Sequence, residues 1–140
     1  MVGTAANILV LLGASVFGAL GAIHLAYTFW SDKLQPRDQA AIDAMKGTTL
    51  VLTRQTTIWD AWIGFNASHS LGALLLAVFY VLLAAQHMEV LARSQSLLVP
   101  GIVAGCVYVW LAHAYWFRTP FIGVTIGTAC LVAAFILLIL

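Results

Sequence analysis

Three imidazoles and one carboxamide stand inside strongly apolar runs of this chain: His24, Asn66, His69 and His113. Side chains of these types cost free energy in hydrocarbon, so they normally face protein or a cavity rather than lipid. Three chemistries follow from them. His24, Asn66, His69 and Ser70 can hydrogen-bond one another across helices, each contact contributing about 1 kcal/mol or less to bundle packing. His24 and His113 can serve as two axial ligands of a b-type haem, or as nitrogen donors to a transition metal, with His69 as a third ligand or a supporting donor. The same groups can also line a water-filled vestibule that binds a ligand or admits a transported molecule. No nucleophile stands beside a base in a pattern that signals catalysis, so no enzyme activity is readable.

The elements that must position these groups follow from composition. Of 140 residues, 63% are hydrophobic and 8% charged, with a mean hydropathy of +1.01. Water-soluble domains average about 25% charged residues, so the chain is expected to lie in a lipid bilayer. Six Lys and Arg against five Asp and Glu leave a net charge of +1, which offers no basic surface for nucleic acid. Cys106 and Cys130 both fall within apolar runs and read as small core residues, not as a disulfide framework.

Four stretches are long enough to cross about 30 Å of hydrocarbon at about 1.5 Å per residue: 6–30, 57–86, 96–117 and 120–140. In lipid each must satisfy its own backbone, so each is a helix, and the expected fold class is all-α, a four-helix integral membrane bundle in a single domain, 1–140. The first stretch lacks a basic flank and exceeds a signal-peptide core in length, so it reads as retained. Thr119 and Pro120 are expected to cap and open the last helix, making a tight hairpin with the third. A short polar turn, His87 to Gln95, joins the second and third spans. The long first connection holds most of the charge, with a short amphipathic helix at Pro36 to Lys46, stopped by Gly47, on the membrane surface.

Five of the six cations, Lys33, Arg37, Lys46, Arg54 and Arg118, fall on the side of the first and third connections, leaving Arg93 opposite. The positive-inside rule then puts those connections in the cytoplasm and both termini outward. Counted from the cytoplasmic end, His113 lies about 6 Å deep, His24 about 9 Å, Asn66 about 14 Å and His69 about 18 Å, all in one leaflet. Tyr27, Asp60, Tyr115, Trp30, Trp59, Trp62 and Trp116 share that half. On the second span Trp62, Asn66, His69 and Ala73 form one stripe, with Asp60 rotated away and expected to pair with Arg54 or Arg118. Trp30, Trp59 and Trp116 read as interfacial anchors.

Small residues recur at four-residue spacing in Ala14/Gly18/Ala22, Gly101/Gly105 and Gly123/Gly127, which lets helix backbones meet, either inside one bundle or between chains. A short echo links His24 to Phe29 with His113 to Phe117, each ending a span that runs in the same direction, as in a parallel repeat.

The stretch Trp59 to Gly72, with the pattern W-x-x-W-x-G-F-N-x-S-H-S-L-G, resembles the signature of an uncharacterised family of small four-span bacterial membrane proteins. The likeness extends to His24, to Pro36-Arg37-Asp38 and to Tyr115-Trp116-Phe117. It implies four spans and a bacterial inner membrane, and it assigns no role to any residue. The preferred reading is a small polytopic protein that acts as a homo-oligomer or as an accessory subunit of a membrane complex through helix packing, with a buried polar cluster of Tyr27, Asp60, Asn66, His69 and Ser70. Haem or metal binding, and a cytoplasm-facing vestibule, are the alternatives.

Overall fold

A computed structural model describes residues 2–140. The fold is all-α. Helix α1 spans Val2–Trp30, α2 Gln39–Gly47, α3 Ile58–Gln86, α4 Met88–Arg93, α5 Val99–Tyr115 and α6 Arg118–Ile139, with a single 3₁₀ turn at Gln95–Leu98 before α5. Four of these, α1, α3, α6 and α5 with its 3₁₀ lead-in, are long and apolar enough to cross a membrane. The chain divides into two compact units. One comprises α1 as far as Leu20 together with everything from Ala73 to Leu140, and the other is Gly21–Gly72.

The first unit is a four-helix bundle with a core of small residues. Each helix buries one stripe: Ala6, Val10, Ala14 and Phe17 on α1; Ala73, Ala77, Tyr80 and Ala84 on α3; Gly101, Gly105 and Ala112 on α5; Val124, Leu131 and Ala134 on α6. Since lipid tails are as apolar as leucine, van der Waals packing has to hold such helices together, and small residues permit the close approach it needs. At Gly13 a β-carbon would come within 2.8 Å of the Gly127 carbonyl oxygen, so α1 and α6 touch backbone to backbone. Gly18 abuts Ala77 of α3, Gly105 abuts Thr128 of α6, and Gly123 abuts Leu20 of α1. The glycine ridges of α5 and α6, and Ala14 and Gly18 of α1, are therefore used inside this bundle. Ala22, by contrast, is exposed.

Tyr80 joins α3 to the start of α5. Its hydroxyl donates to the Leu97 carbonyl and accepts from the Gly101 N–H, both at 2.8 Å. One of the N–H groups that every helix start leaves without a partner is thus satisfied by a side chain from a neighbouring span. Gly101 lies directly against the Tyr80 ring and leaves no room for a side chain.

Two boundaries differ from expectation. The connection after α3 is not a plain polar turn: α4 buries Leu91 and the 3₁₀ turn buries Leu98, because the segment carries enough apolar residues to close the end of the bundle. Gln95 reinforces this, donating to the Ala92 and Leu138 carbonyls. His87 and Glu89, 3.8 Å apart, remain exposed. Helix α6 begins at Arg118, two residues before Pro120, with Phe117 in the capping position and no side-chain cap, so Thr119 lies within the helix. The third helical residue needs no intrahelical N–H bond, and Pro120 is accommodated there.

In the second unit the amphipathic helix starts later than expected, at Gln39, because Asp38 caps it: its Oδ1 accepts from the Ala40 N–H at 3.0 Å. Ile42 is its buried residue, and Lys46 sits 4.9 Å above the Trp59 ring. A single antiparallel bridge, Thr49 to Thr57, then closes a loop immediately before α3. Thr57 and Asp60 form a reciprocal cap on α3, the Thr57 hydroxyl donating to the Asp60 carboxylate at 2.7 Å while accepting from the Asp60 N–H at 3.1 Å.

Candidate functional site

The second unit brings together three of the polar groups singled out above. His24, near the end of α1, and Asn66, in the first half of α3, share a hydrogen bond of 2.8 Å between Nε2 and Oδ1. The His69 ring lies one helical turn further along α3, its centroid 5.2 Å from that of His24 and its plane at 72°, an edge-to-face contact. All three are half-buried.

Local hydrogen bonds fix the geometry. The Asn66 amide nitrogen donates to the Trp62 carbonyl at 2.8 Å, one turn back, which leaves Oδ1 as the atom presented to α1. An amide oxygen only accepts, so the Nε2 of His24 must carry the proton. Ser70, fully buried, donates to the Asn66 carbonyl at 2.9 Å. On α1, buried Thr28 donates to the His24 carbonyl at 2.8 Å. These hydroxyls return to their own helices, as Ser and Thr do in membrane spans, and hide polar atoms that hydrocarbon would penalise.

The remaining predicted residues have other tasks. Tyr27 holds Lys33 over its ring at 4.9 Å and offers its carbonyl to Ser31. Asp60 is exposed and belongs to the cap of α3, with the Thr57 hydroxyl as its partner in place of the expected Arg54 or Arg118, in the first helical turn where the dipole also favours a carboxylate. Trp62 stacks on Trp59, ring centroids 5.7 Å apart. His113 is an exposed residue of the first unit, at the end of α5, with its ring 5.9 Å from that of Phe121. The imidazole beside His24 is thus His69. Thr28 and Tyr80 carry polar duties that the residue pattern did not single out. A Thr four residues after an intramembrane His, and a Tyr on a small-residue stripe, were the available signals.

The arrangement limits the chemistry. Haem iron takes an imidazole nitrogen lone pair, and the Nε2 of His24 is committed as a donor to Asn66, so ligation through that atom requires the interhelical bond to break. Among the described residues, no group of three or more His, Cys, Asp or Glu side chains comes together to hold a metal ion. A groove of about 320 Å³ in the first unit is lined by Ala14, Gly18, Ala77 and aliphatic neighbours, with Ser15 as its hydroxyl. Its lining is almost entirely apolar. What the site does well is hold two spans in one register by a directed hydrogen bond. Comparison with known proteins adds no relative: no family model, no curated protein and no solved structure matches this chain.

Proposed function

We propose that this small four-span membrane protein is a packing element, which associates with a second copy of itself or joins a larger membrane complex through the face of α3 in its second unit. The observation that carries this reading is a small-residue ridge left open. A β-carbon at Gly64 would meet nothing within 4 Å, and Ser68, four residues on, is exposed with its hydroxyl turned back to the Phe65 carbonyl at 3.0 Å. The glycine ridges of α5 and α6 are filled within the chain, whereas Gly64 and Ser68 are not. Small residues contribute little packing against lipid but let another helix approach closely.

In this reading the His24–Asn66–His69 cluster keeps α1 and α3 aligned behind that ridge, so the face presented to a partner has one shape. The cation distribution supports an orientation with both termini outward, in what we take to be a bacterial inner membrane. About a two-fold axis, an α3–α3 contact brings Ser68 near its own symmetry mate. In a background where Cys106 and Cys130 are alanine, Ser68→Cys should therefore cross-link spontaneously in membranes, and adding Gly64→Leu should abolish the cross-link. Accessory-subunit behaviour shows instead as constant co-isolation with another polypeptide that Gly64→Leu releases. A chain that neither cross-links nor co-isolates refutes both forms.

A further inference from the structure

The second unit carries a feature that the packing reading leaves unused. Between α2 and α3 the chain forms a narrow-necked loop: Thr49 and Thr57 are bridged, the Ile58 N–H donates to the Thr48 carbonyl at 2.8 Å, and Thr53 folds the tip by accepting from the Gln55 N–H at 3.1 Å. At the tip, Val51 and Leu52 are 109% and 91% exposed, the most exposed aliphatic side chains of this unit. Arg54 follows them, also exposed, and Lys46 precedes the neck. From Ala44 to Trp59 the chain has no carboxylate.

A loop that projects two aliphatic side chains clear of its own fold needs an apolar medium to receive them. We infer that the Val51–Leu52 tip inserts into the headgroup zone of the protein's own membrane, where Arg54 engages anionic lipid phosphates. Three observations select the bilayer as the occupant. The neck is adjacent to Ile58, the first residue of a membrane-length helix, so the loop emerges at the membrane boundary. Its tip lies two to three residues beyond the neck, a reach of about 7–10 Å, enough to span the several ångströms of interfacial zone on each side of the hydrocarbon. Its one charged side chain, Arg54, is positive and suits an anionic leaflet, while Trp30 at the end of α1, 79% exposed, supplies the amphipathic ring typical of that depth.

The test uses the full chain with Cys106 and Cys130 replaced by alanine and Leu52→Cys labelled with an environment-sensitive nitrobenzoxadiazole dye. It is reconstituted into phosphatidylcholine vesicles with or without phosphatidylglycerol. Insertion predicts blue-shifted emission, quenching by lipids that carry a nitroxide near the headgroup, and a larger inserted fraction when phosphatidylglycerol is present. Arg54→Gln should lower the inserted-to-free ratio by about fivefold in the anionic vesicles, the effect of one cation near such a surface. Val51→Asp, which touches no buried residue, should return the dye to water-like emission while circular dichroism stays unchanged. Water-like emission from the labelled parent in both vesicle types overturns the inference. So does a dye that is shielded only in native membranes, which assigns the tip to a protein partner. An inserted fraction indifferent to phosphatidylglycerol removes the assignment to anionic lipid.

Discussion

Alanine substitutions at His24 and Asn66 should be non-additive, because either one alone already removes the hydrogen bond between them. Each single alanine substitution strips one partner. Asn66→Ala also frees the Trp62 carbonyl and leaves the Nε2–H of a half-buried imidazole without its acceptor, a loss of about 1–2 kcal/mol. Polar contacts between spans average about 0.6 kcal/mol and reach about 1.7 kcal/mol. The bond at 2.8 Å belongs in the upper half of that range, because Asn66 is already oriented by its own helix and loses little rotamer freedom in making it. The coupling in a double-alanine cycle should therefore be about 1 kcal/mol, or about fivefold in the unfolding equilibrium. Reversible unfolding by SDS in mixed micelles, followed by circular dichroism and tryptophan emission, measures all four corners. His24→Ala with Ser68→Ala provides the control, since Ser68 bonds only within its own turn of α3. Additivity of the His24 and Asn66 substitutions within about 0.3 kcal/mol, matching that control, refutes the interhelical bond.

Tyr80→Phe deletes two hydrogen bonds at the start of α5 and should destabilise the bundle by about 1–3 kcal/mol in the same unfolding assay, with faster hydrogen exchange at the Gly101 amide. Gly101→Ala should cost at least as much, about 1–3 kcal/mol from overpacking against the Tyr80 ring, and Tyr80→Ala should partly rescue it. Asp60→Ala removes one arm of the α3 cap, a loss of about 0.5–2 kcal/mol that should appear as faster exchange in the first turn of α3 while the first unit keeps its protection. Unchanged exchange there would show that Thr57 caps the helix unaided.

The parts of this molecule legible in the sequence are those dictated by solvent. Apolar length against bilayer thickness gave the four spans, and the cost of an unpaired amide or imidazole in hydrocarbon marked His24, Asn66 and His69 for inward contact. Of the expected stripe Trp62, Asn66, His69 and Ala73, both Asn66 and His69 meet His24, as helical periodicity allows. Short-range competition was less legible. Asp60 stood one turn from a cation-rich loop, and simple charge counting favoured Arg54 or Arg118; its carboxylate instead accepts from the neighbouring Thr57 hydroxyl. Pro120 marked the beginning of α6 only to within a turn, since proline is tolerated at any of the first helical positions. The segment after α3 read as polar from His87, Glu89 and Arg93, yet Leu91 folds inward, a choice made by the open end of the bundle and not by local sequence. His113 matched His24 in type and depth, but depth does not fix the azimuth of a side chain around its helix. The ring contact that formed is between His24 and His69.

The proposal that this chain works by packing against another is tested most directly by counting chains in membrane patches excised with amphipathic polymer and never exposed to detergent. For fluorescently tagged protein at native abundance, the account predicts two bleaching steps per patch, or one step with a constant accompanying polypeptide, and in either case a shift to solitary single-step patches in Gly64→Leu. Solitary single-step patches for the unmodified chain, indistinguishable from those of Gly64→Leu, would contradict it.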